Sequence, residues 1–177
     1  IYSYAYILLK GVSLVRNIHL LQKLNFHILN DIVWFKPNAS PNLSCRFFTA
    51  SHETVLWAKK DQNSKHYFDY QSMKNSCFPE DNIKKQGSQM RSVWSIPSIP
   101  KSEKQFGKHP TQKPLSLLKR VVLASTDQNA LIFDPFNGSG TTGIATSITG
   151  SRFYIGCDIE KEYIDLTVKR HKALNNR

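Results

Sequence analysis

The sequence is poor in cysteine and in acidic residues, and it has no long apolar run. Its three cysteines, Cys45, Cys77 and Cys157, are an odd number without CxxC spacing, which indicates neither a disulfide framework nor a zinc site. We therefore expect no bound metal and a reducing, cytoplasmic location. The apolar stretch from Ile1 to Leu9 falls far short of the roughly 20 residues that span a membrane, and it lacks the basic start of a signal peptide, so it predicts a buried strand.

The shortage of acidic residues leaves a strong positive charge. Only 13 Asp and Glu stand against 24 Lys and Arg in 177 residues, which gives a formal net charge of +11. This balance favours a polyanionic partner, with nucleic acid as the first candidate, because each cationic contact with a phosphate releases condensed counterions. The alternative is that the charge only keeps the protein soluble. A hydrophobic content of 40% is ordinary for a globular protein and predicts a single domain.

Hydrophobic periodicity predicts alternating strands and helices. The predicted elements are a strand in Ile1–Lys10, a helix from Leu14 to Leu24, strands at Ile28–Phe35 and Glu53–Ala58, a helix Leu115–Ala124, a strand Ala130–Phe133, a helix reaching Thr149, a strand Phe153–Cys157 and a helix from Glu160. This order is typical of parallel α/β structure. Residues 59–107 are polar and lack clear periodicity, so we expect them to form an insertion outside the core, with a function of its own.

A glycine-rich turn between a strand and a helix carries the most chemistry. The stretch from Leu131 to Gly143 contains GxGxxG, which alone is weak evidence, since the same backbone device serves several nucleotide cofactors. A nicotinamide-dependent oxidoreductase is therefore one alternative. Asp134 argues against it, because a carboxylate beside the turn repels a pyrophosphate and attracts a ligand that carries an ammonium group. The turn thus favours a cationic ligand.

The next strand supplies a second acidic residue. Asp158 follows that strand, where a carboxylate can accept hydrogen bonds from both hydroxyls of a ribose. Gly138 and Gly140 allow the backbone to approach a ligand closely, while Thr141 offers a hydroxyl and a helix N-terminal amide to a carboxylate. Together these groups match S-adenosylmethionine. The alternative is that Asp134 only caps a helix and the glycines only shape a turn.

Three stretches resemble motifs of the permuted, β-class DNA amino-methyltransferases. They are Asp134–Thr142 (DPFNGSGTT), close to the cofactor motif DPFxGSGTT; Lys108–Leu115 (KHPTQKPL), close to the HPTQKP motif; and Asp31–Asn38 (DIVWFKPN) followed by Ser51–Thr54 (SHET). The resemblance covers most of the chain and is weakest before about Ser13 and in residues 59–107. It implies a three-layer, Rossmann-like α/β fold of the S-adenosylmethionine-dependent methyltransferases, with a mostly parallel sheet.

The resemblance also implies a function and a site. The function is transfer of a methyl group from S-adenosylmethionine to adenine N6 in duplex DNA, within restriction–modification, with cytosine N4 as the alternative target. The implied cofactor-binding part is 108–177, and its residues are Asp134, Pro135, Phe136, Gly138, Ser139, Gly140, Thr141, Asp158, Thr111, Gln112 and Lys113. Lys113 is assigned to the methionine carboxylate or to a structural carbonyl. For His109, a packing role and cofactor contact remain open.

The family places its target-recognition region where residues 59–107 lie. Duplex DNA is therefore the expected partner, no membrane is expected, and a homodimer is the candidate assembly. The residues assigned to DNA are Lys84, Lys85, Gln89, Arg91 and Arg46, because lysines contact phosphates while amides and guanidinium groups read base edges. A solvated charged surface is the alternative. Trp57 and Trp94 are interpreted as core aromatics, with stacking on a base as the alternative. His52 and Glu53 are interpreted as supports of the loop after Pro37, with a place near the DNA or the flipped base as the alternative.

The catalytic motif of the resembled family, (D/N/S)PP(Y/F/W), is not in the sequence, since none of the eight prolines are adjacent. In that family this loop aims the amine of a flipped base at the methyl group and precedes all the matched motifs. The chain also begins at Ile1, within a stretch that reads as the interior of a fold. We therefore expect an N-terminally truncated methyltransferase that is inactive alone. The alternative is a non-catalytic remnant or a subunit completed by another polypeptide.

Overall fold

A computed structural model describes residues 4–9, 13–75, 78, 87–107 and 109–175. The contacts divide the chain into a first unit, Ile1–Pro97, and a second unit, Ser98–Arg177. Within the described ranges, no helix has both the length and the apolar character that crossing a membrane requires.

The first unit is built on a four-stranded sheet. Its elements are β1 (Tyr4–Leu9), α1 (Ser13–Lys23), β2 (His27–Phe35), β3 (His52–Lys59), α2 (Tyr70–Asn75) and β4 (Val93–Ser95), and the strand order is β1-β3-β2-β4. β3 pairs antiparallel with β1 and with β2, while β4 is parallel to β2. The expectation of a mostly parallel sheet is thus corrected for this unit: β2 is followed by a loop that returns the chain directly beside it, and such a connection makes an antiparallel pair.

Helix α1 covers one part of this sheet with the apolar stripe that its sequence predicts. Leu21 of α1 is buried together with Leu56 and Ala58 of β3. Partly buried apolar residues surround these three: Ile7, Leu14, Ile18, Phe26 and Ile28. Residues 14, 18 and 21 recur at helical spacing, so the stripe lies on one face of the helix. The predicted helix and the three predicted strands are confirmed.

The expectation that residues 59–107 lie outside the core is wrong for three side chains. Met73 of α2, Trp94 of β4 and Ile96 are all buried. β4 pairs with β2 in the register Trp34↔Trp94, and the indole N–H of Trp34 donates to the carbonyl of Ile96 at 2.7 Å. Sequence periodicity missed this strand because three residues amid polar neighbours give too few repeats to detect. The interpretation of Trp57 and Trp94 as core aromatics is confirmed, and Trp57 stacks on Tyr6 at 5.6 Å.

A buried ion pair ties the end of β2 to the start of β3. Lys36 Nζ lies 3.1 Å from Glu53 Oε1, and both side chains are about nine-tenths buried. The ammonium group also lies 5.3 Å from the centre of the Trp34 ring, within cation–π range. Glu53 therefore supports the loop after β2, as its sequence context predicts.

Breaking this pair is expected to destabilise the first unit. Glu53→Ala leaves the Lys36 ammonium buried without its carboxylate, which costs about 3 kcal/mol of unfolding free energy. Urea denaturation measures the effect. In the control, Lys36→Met with Glu53→Leu replaces both charges by apolar groups and recovers most of the loss, because a paired apolar replacement removes the buried charge. Equal destabilisation in both variants would contradict this account.

The second unit contains the strand–turn–helix that the glycine pattern predicts. A 3₁₀ helix, Lys101–Lys104, is followed by α3 (Leu115–Ser125), β5 (Leu131–Asp134), α4 (Thr141–Ile148), β6 (Phe153–Gly156) and α5 (Lys161–Asn175). β5 and β6 are parallel and pair in the register Asp134↔Gly156. All five predicted elements of this unit are confirmed. Because the strands are parallel, both of their carboxyl ends, and the loops that follow them, lie at one edge.

Candidate cofactor site

Backbone hydrogen bonds join the two loops at the carboxyl edge of β5 and β6. The N–H of Cys157 donates to the carbonyl of Asp134 at 2.9 Å, and the N–H of Asn137 donates to the carbonyl of Cys157 at 2.9 Å. The turn after β5 and the residues after β6 are therefore held side by side. This arrangement brings the two predicted carboxylates, Asp134 and Asp158, to the same edge.

The Asp134 carboxylate is fixed by two donors from its own turn. Its Oδ1 accepts from the N–H of Phe136 at 3.0 Å, and its Oδ2 accepts from the hydroxyl of Thr142 at 2.7 Å. An ionised carboxylate offers about four lone-pair positions, so these two bonds leave acceptor capacity for a ligand. Asp134 is only partly buried, and a cationic ligand can therefore reach it.

Asp158 holds the glycine turn in addition to facing solvent. Its Oδ2 accepts from the N–H of Gly138 at 2.7 Å, and its Oδ1 accepts from the N–H of Glu160 at 3.1 Å. The N–H of Glu160 is the main cause that lowers the pKa of Asp158, with further lowering from the N–H of Gly138 and from His109. Asp158 is consequently ionised at neutral pH. The sequence assigned the Asp158 carboxylate only to a ribose, and the bond from the N–H of Gly138 shows that it also holds the turn.

Two glycines of the turn adopt left-handed conformations and are closely covered. Gly138 has φ +52° and Gly140 has φ +71°, values that L side chains rarely adopt. A Cβ on Gly138 would lie 3.0 Å from the His109 imidazole, and a Cβ on Gly140 would lie 2.6 Å from Thr167 Oγ1. Both positions thus require glycine on two grounds, backbone conformation and space.

A polar network braces the turn from β6 and α5. The hydroxyl of Tyr154 donates to Asn137 Oδ1 at 2.7 Å, and Asn137 Nδ2 donates to Thr167 Oγ1 at 2.8 Å and to the carbonyl of Gly138 at 3.2 Å. Burial, followed by the nearby charge of Asp134, raises the pKa of Tyr154 far above its usual value. Tyr154 therefore remains a donor at any physiological pH. The network fixes the turn before any ligand binds.

Arg170 of α5 binds the turn where α4 begins. Its Nη1 donates to the carbonyl of Ser139 and, at 3.1 Å, to the hydroxyl of Thr141. The Thr141 hydroxyl also lies 3.1 Å from Ser139 Oγ, and both of these residues are buried. The sequence predicted that the hydroxyl of Thr141 binds a ligand carboxylate. Because this hydroxyl is bonded within the protein, the backbone N–H of Thr141 is the group that remains for a ligand.

Backbone amides at the start of α4 remain available. Within the part of the chain that the structure describes, the N–H groups of Ser139, Thr141 and Thr142 have no hydrogen-bond acceptor. The first N–H groups of a helix carry partial positive charge and point along its axis, so they suit an anion such as a carboxylate.

The HPTQKP segment reaches the turn through His109. The imidazole packs edge-on against Tyr163, with ring centres 4.3 Å apart, and its Nδ1 accepts from the N–H of Thr111 at 3.3 Å. Burial is the main cause that lowers the pKa of His109, while Asp158 opposes the shift and Lys113 adds to it. Because the same ring covers Gly138, the structure places His109 against the turn. The assignment of Thr111 and Lys113 to the cofactor stays a prediction.

Gln112 points away from solvent. Its side chain is buried, and Nε2 donates to the carbonyl of Glu103 at 2.9 Å. The structure thus joins Gln112 to the 3₁₀ helix, not to open space beside the turn. Lys108, at the start of the same motif, lies outside the described residues.

Two apolar side chains stand exposed directly after the two carboxylates. Phe136 is 89% exposed and Ile159 is 96% exposed. Pro135, beside Phe136, is exposed as well.

Comparison with known proteins assigns the family. A model of the N6/N4 methyltransferase type, described as DNA methylase, matches residues 3–169. The chain belongs to the DNA methylase family. The Type II methyltransferase M2.LlaDCHI of Lactococcus lactis subsp. cremoris is 50% identical over 151 residues, which are 85% of this chain and 53% of that protein. The Type II methyltransferase M2.DpnII of Streptococcus pneumoniae is 49% identical over 156 residues, which are 88% of this chain and 55% of that protein. The chain therefore spans about half the length of these curated relatives.

Solved DNA methylases share the fold. The M1.HpyAVI–SAM complex has a TM-score of 0.74 at 30% identity, covering 95% of this chain and 74% of that one. The cytosine-N4-specific PvuII DNA methyltransferase has a TM-score of 0.71 at 19% identity, covering 94% of this chain and 63% of that one, and shows the fold alone. The family resemblance and the Rossmann-like methyltransferase fold predicted from the sequence are thus confirmed.

The residues assigned to DNA lie in the sequence range of the first unit. Arg46 is exposed in the loop between β2 and β3, and Gln89 and Arg91 are exposed before β4. Lys84 and Lys85 lie outside the described residues. The assignment of these five residues to DNA stays a prediction.

Sequence reasoning missed the side chains that brace the methylase turn from behind. They are Asn137, Tyr154, Thr167 and Arg170. A signal was present in α5, where Tyr163, Thr167 and Arg170 recur at positions i, i+4 and i+7, which lie on one face of a helix. Polar residues at that spacing on a helix that follows a glycine turn predict support for the turn.

Proposed function

We propose that the second unit binds S-adenosylmethionine at the glycine turn. The observation that carries this proposal is the combination of charges at one sheet edge: two carboxylates, Asp134 and Asp158, beside backbone amides that lack an acceptor. The amino acid end of S-adenosylmethionine carries an ammonium and a carboxylate, and its nucleoside end carries a ribose diol. A solved relative that shares the fold, M1.HpyAVI, forms a complex with this same ligand.

Each end of the ligand has a matching group on the protein. Asp134 attracts the ammonium and the adjacent sulfonium, and the amides of Ser139, Thr141 and Thr142 receive the carboxylate. Asp158 has acceptor capacity left after its two backbone bonds, which suits the ribose hydroxyls.

The exposed apolar groups complete the proposed site. Phe136 and Ile159 follow the two carboxylates and present apolar surface at the same edge. A planar adenine ring that lies against such side chains buries apolar surface away from water, and this burial stabilises binding. We assign these two residues to the adenine ring.

The activity we propose is methylation of adenine N6 in duplex DNA. Two relatives that are 50% and 49% identical to this chain are named Type II methyltransferases, which supports this activity. The positive net charge of the chain also supports it. When bound, S-adenosylmethionine supplies an electrophilic methyl group. The residues of this chain bind and orient that ligand, while exposed basic and amide side chains, Arg46, Gln89 and Arg91, contact DNA. Cytosine N4 is the second candidate target, since the family model that matches residues 3–169 is of the N6/N4 methyltransferase type.

A thermal-shift experiment with S-adenosylhomocysteine, the demethylated product, tests the site. At about 100 times its Kd a ligand adds roughly 2.7 kcal/mol of stability, which raises the melting temperature by roughly 5–10 °C. We expect this shift for the unchanged chain and none for Gly140→Ala, whose Cβ would collide with Thr167.

Gly150→Ala is the matched control for that experiment. Gly150 also has a positive φ, +103°, but its Cβ would meet only the Arg152 guanidinium at 3.9 Å. This variant is expected to lose some stability and to keep the ligand shift. If Gly140→Ala kept the full shift, or if an equal excess of NAD⁺ gave a larger one, the site assignment would fail.

A further inference from the structure

Two partly or fully buried charged groups in the second unit have no role in the proposed ligand contacts. Arg170 is only 6% exposed, and its guanidinium lies behind the turn, bonded to Ser139 and Thr141. Glu103 is half-buried; burial raises its pKa, and the N–H of Leu115 and the charge of Arg170 oppose that rise. Burying a charged group is costly unless hydrogen bonds compensate it, and the bonds to Ser139 and Thr141 supply this compensation for Arg170.

Arg170 controls the orientation of the peptide plane between Ser139 and Gly140. The carbonyl of that peptide accepts from Arg170, and its N–H donates to the carbonyl of Asn137 at 2.9 Å. A peptide held at both ends cannot rotate. The second Arg170 bond, to the Thr141 hydroxyl, fixes the first residue of α4. The available amides of Ser139 and Thr141 belong to the two neighbouring peptides, 138–139 and 140–141. These peptides share the Cα atoms of Ser139 and Gly140 with the fixed peptide, so the guanidinium restrains the directions of both amides through them.

The charge of Glu103 opposes the lowering of the Arg170 pKa by burial, and Glu103 is itself bonded to the HPTQKP segment. Its Oε2 accepts from the N–H of Leu115 at 3.0 Å, at the start of α3, and its carbonyl accepts from Gln112 Nε2 at 2.9 Å. Gln112 and Leu115 flank Lys113 in sequence. Glu103 is thus anchored to Gln112 and Leu115, on either side of Lys113 and Pro114.

We propose that Arg170 is a positioning residue that holds the peptide between Ser139 and Gly140 and so aims the adjoining turn amides at the carboxylate of the bound ligand. This inference rests on the proposed function and adds a specific consequence to it. Arg170 acts on the amino acid end of the ligand and not on its nucleoside end. Because its side chain is buried behind the turn, it acts through the backbone and does not contact the ligand.

A comparison of two ligands tests this directly. S-adenosylhomocysteine carries the amino and carboxylate groups, whereas 5′-methylthioadenosine has the same adenosine and thioether without them. Calorimetric titration of the 177-residue chain is expected to show that Arg170→Met weakens binding of S-adenosylhomocysteine by about tenfold or more, the worth of one charge-assisted contact. Binding of methylthioadenosine is expected to change by less than about threefold. Lys169→Met, an exposed neighbour on α5, should change neither.

Two further variants guard against simple unfolding. Arg170→Lys keeps the charge but not the planar fork, so we expect an intermediate loss with the same preference for the amino acid end. Glu103→Gln keeps the shape and removes a negative charge that acts on Arg170, and a smaller loss of the same kind is expected. Equal weakening of both ligands, or no weakening, would overturn the inference while leaving the proposed function standing. If the unchanged chain bound neither ligand, the proposed function would fail and the inference with it.

Discussion

Asp134→Asn is expected to weaken binding of S-adenosylmethionine by about 10- to 100-fold, because a hydrogen bond to a charged group contributes about 1.5–3 kcal/mol. The amide keeps an oxygen that accepts from the N–H of Phe136, and the Thr142 hydroxyl can accept from the new amide nitrogen. The turn should therefore keep its shape while the charge is lost. Calorimetric titration at equal protein concentration measures the change.

Asp165→Asn is the control for that substitution. Asp165 is an exposed carboxylate of α5 that pairs with Lys161 at 3.1 Å, so removing its charge changes the net charge equally without touching the turn. Its affinity for the ligand should match that of the unchanged chain. If both variants bound equally well, Asp134 would be only a turn-forming residue, and the argument for a cationic ligand would be lost.

Methyl transfer to DNA is expected to be undetectable for the 177-residue chain assayed alone. The residues that would aim a flipped base at the methyl group in the resembled family belong to a (D/N/S)PP(Y/F/W) loop, and none of the eight prolines here are adjacent. Binding and orienting the methyl donor cannot replace alignment of the acceptor nitrogen, which accounts for a large part of a transfer rate. A tritiated methyl donor and duplex DNA provide the assay.

A second version of the assay supplies the (D/N/S)PP(Y/F/W) loop that the sequence does not contain. Joining the chain to a segment of a family member that carries the tetrapeptide, in the order that the resemblance implies, should restore transfer. Digestion of the product DNA should then give N6-methyladenine, and Asp134→Asn in the same fusion should lower the rate. Transfer by the chain alone would refute the role given to the absent loop, while N4-methylcytosine as the product would favour the second candidate target.

The glycine turn was predictable because its chemistry is local. Asp134, Gly138 and Gly140 fall within seven residues between a strand and a helix, and a carboxylate at a strand end followed by glycines has few structural interpretations. Parallel strand order then placed Asp158 at the same edge without any knowledge of contacts. Local spacing and the rule that parallel strands end at one edge were enough to predict the positions of both carboxylates.

The supports of the turn were not predictable in the same way. Arg170 reaches Ser139 across 31 positions, and Tyr154 reaches Asn137 across 17. Such pairs depend on how α5 and β6 pack on the turn, which single-sequence periodicity does not encode. The same limit explains Thr141, whose hydroxyl bonds to Arg170 although its position in the motif suggested a ligand.

The first unit shows the limit for short elements. β2 and β3 have nine and eight residues, which is long enough for apolar patterns to predict them. β4 has three residues, and only its pairing with β2 and the burial of Trp94 make it part of the sheet. Composition indicated an exposed insertion because polar residues surround this strand, while a few buried side chains anchor it.

The most direct test of the central claim is a calorimetric titration of the unchanged chain with S-adenosylmethionine and, separately, with NAD⁺. The charge arrangement at Asp134, the turn amides and Asp158 predicts one binding site for S-adenosylmethionine and much weaker binding of NAD⁺, because the Asp134 carboxylate repels a pyrophosphate. NAD⁺ binding as tight as that of S-adenosylmethionine, or no binding of S-adenosylmethionine at all, would contradict the account.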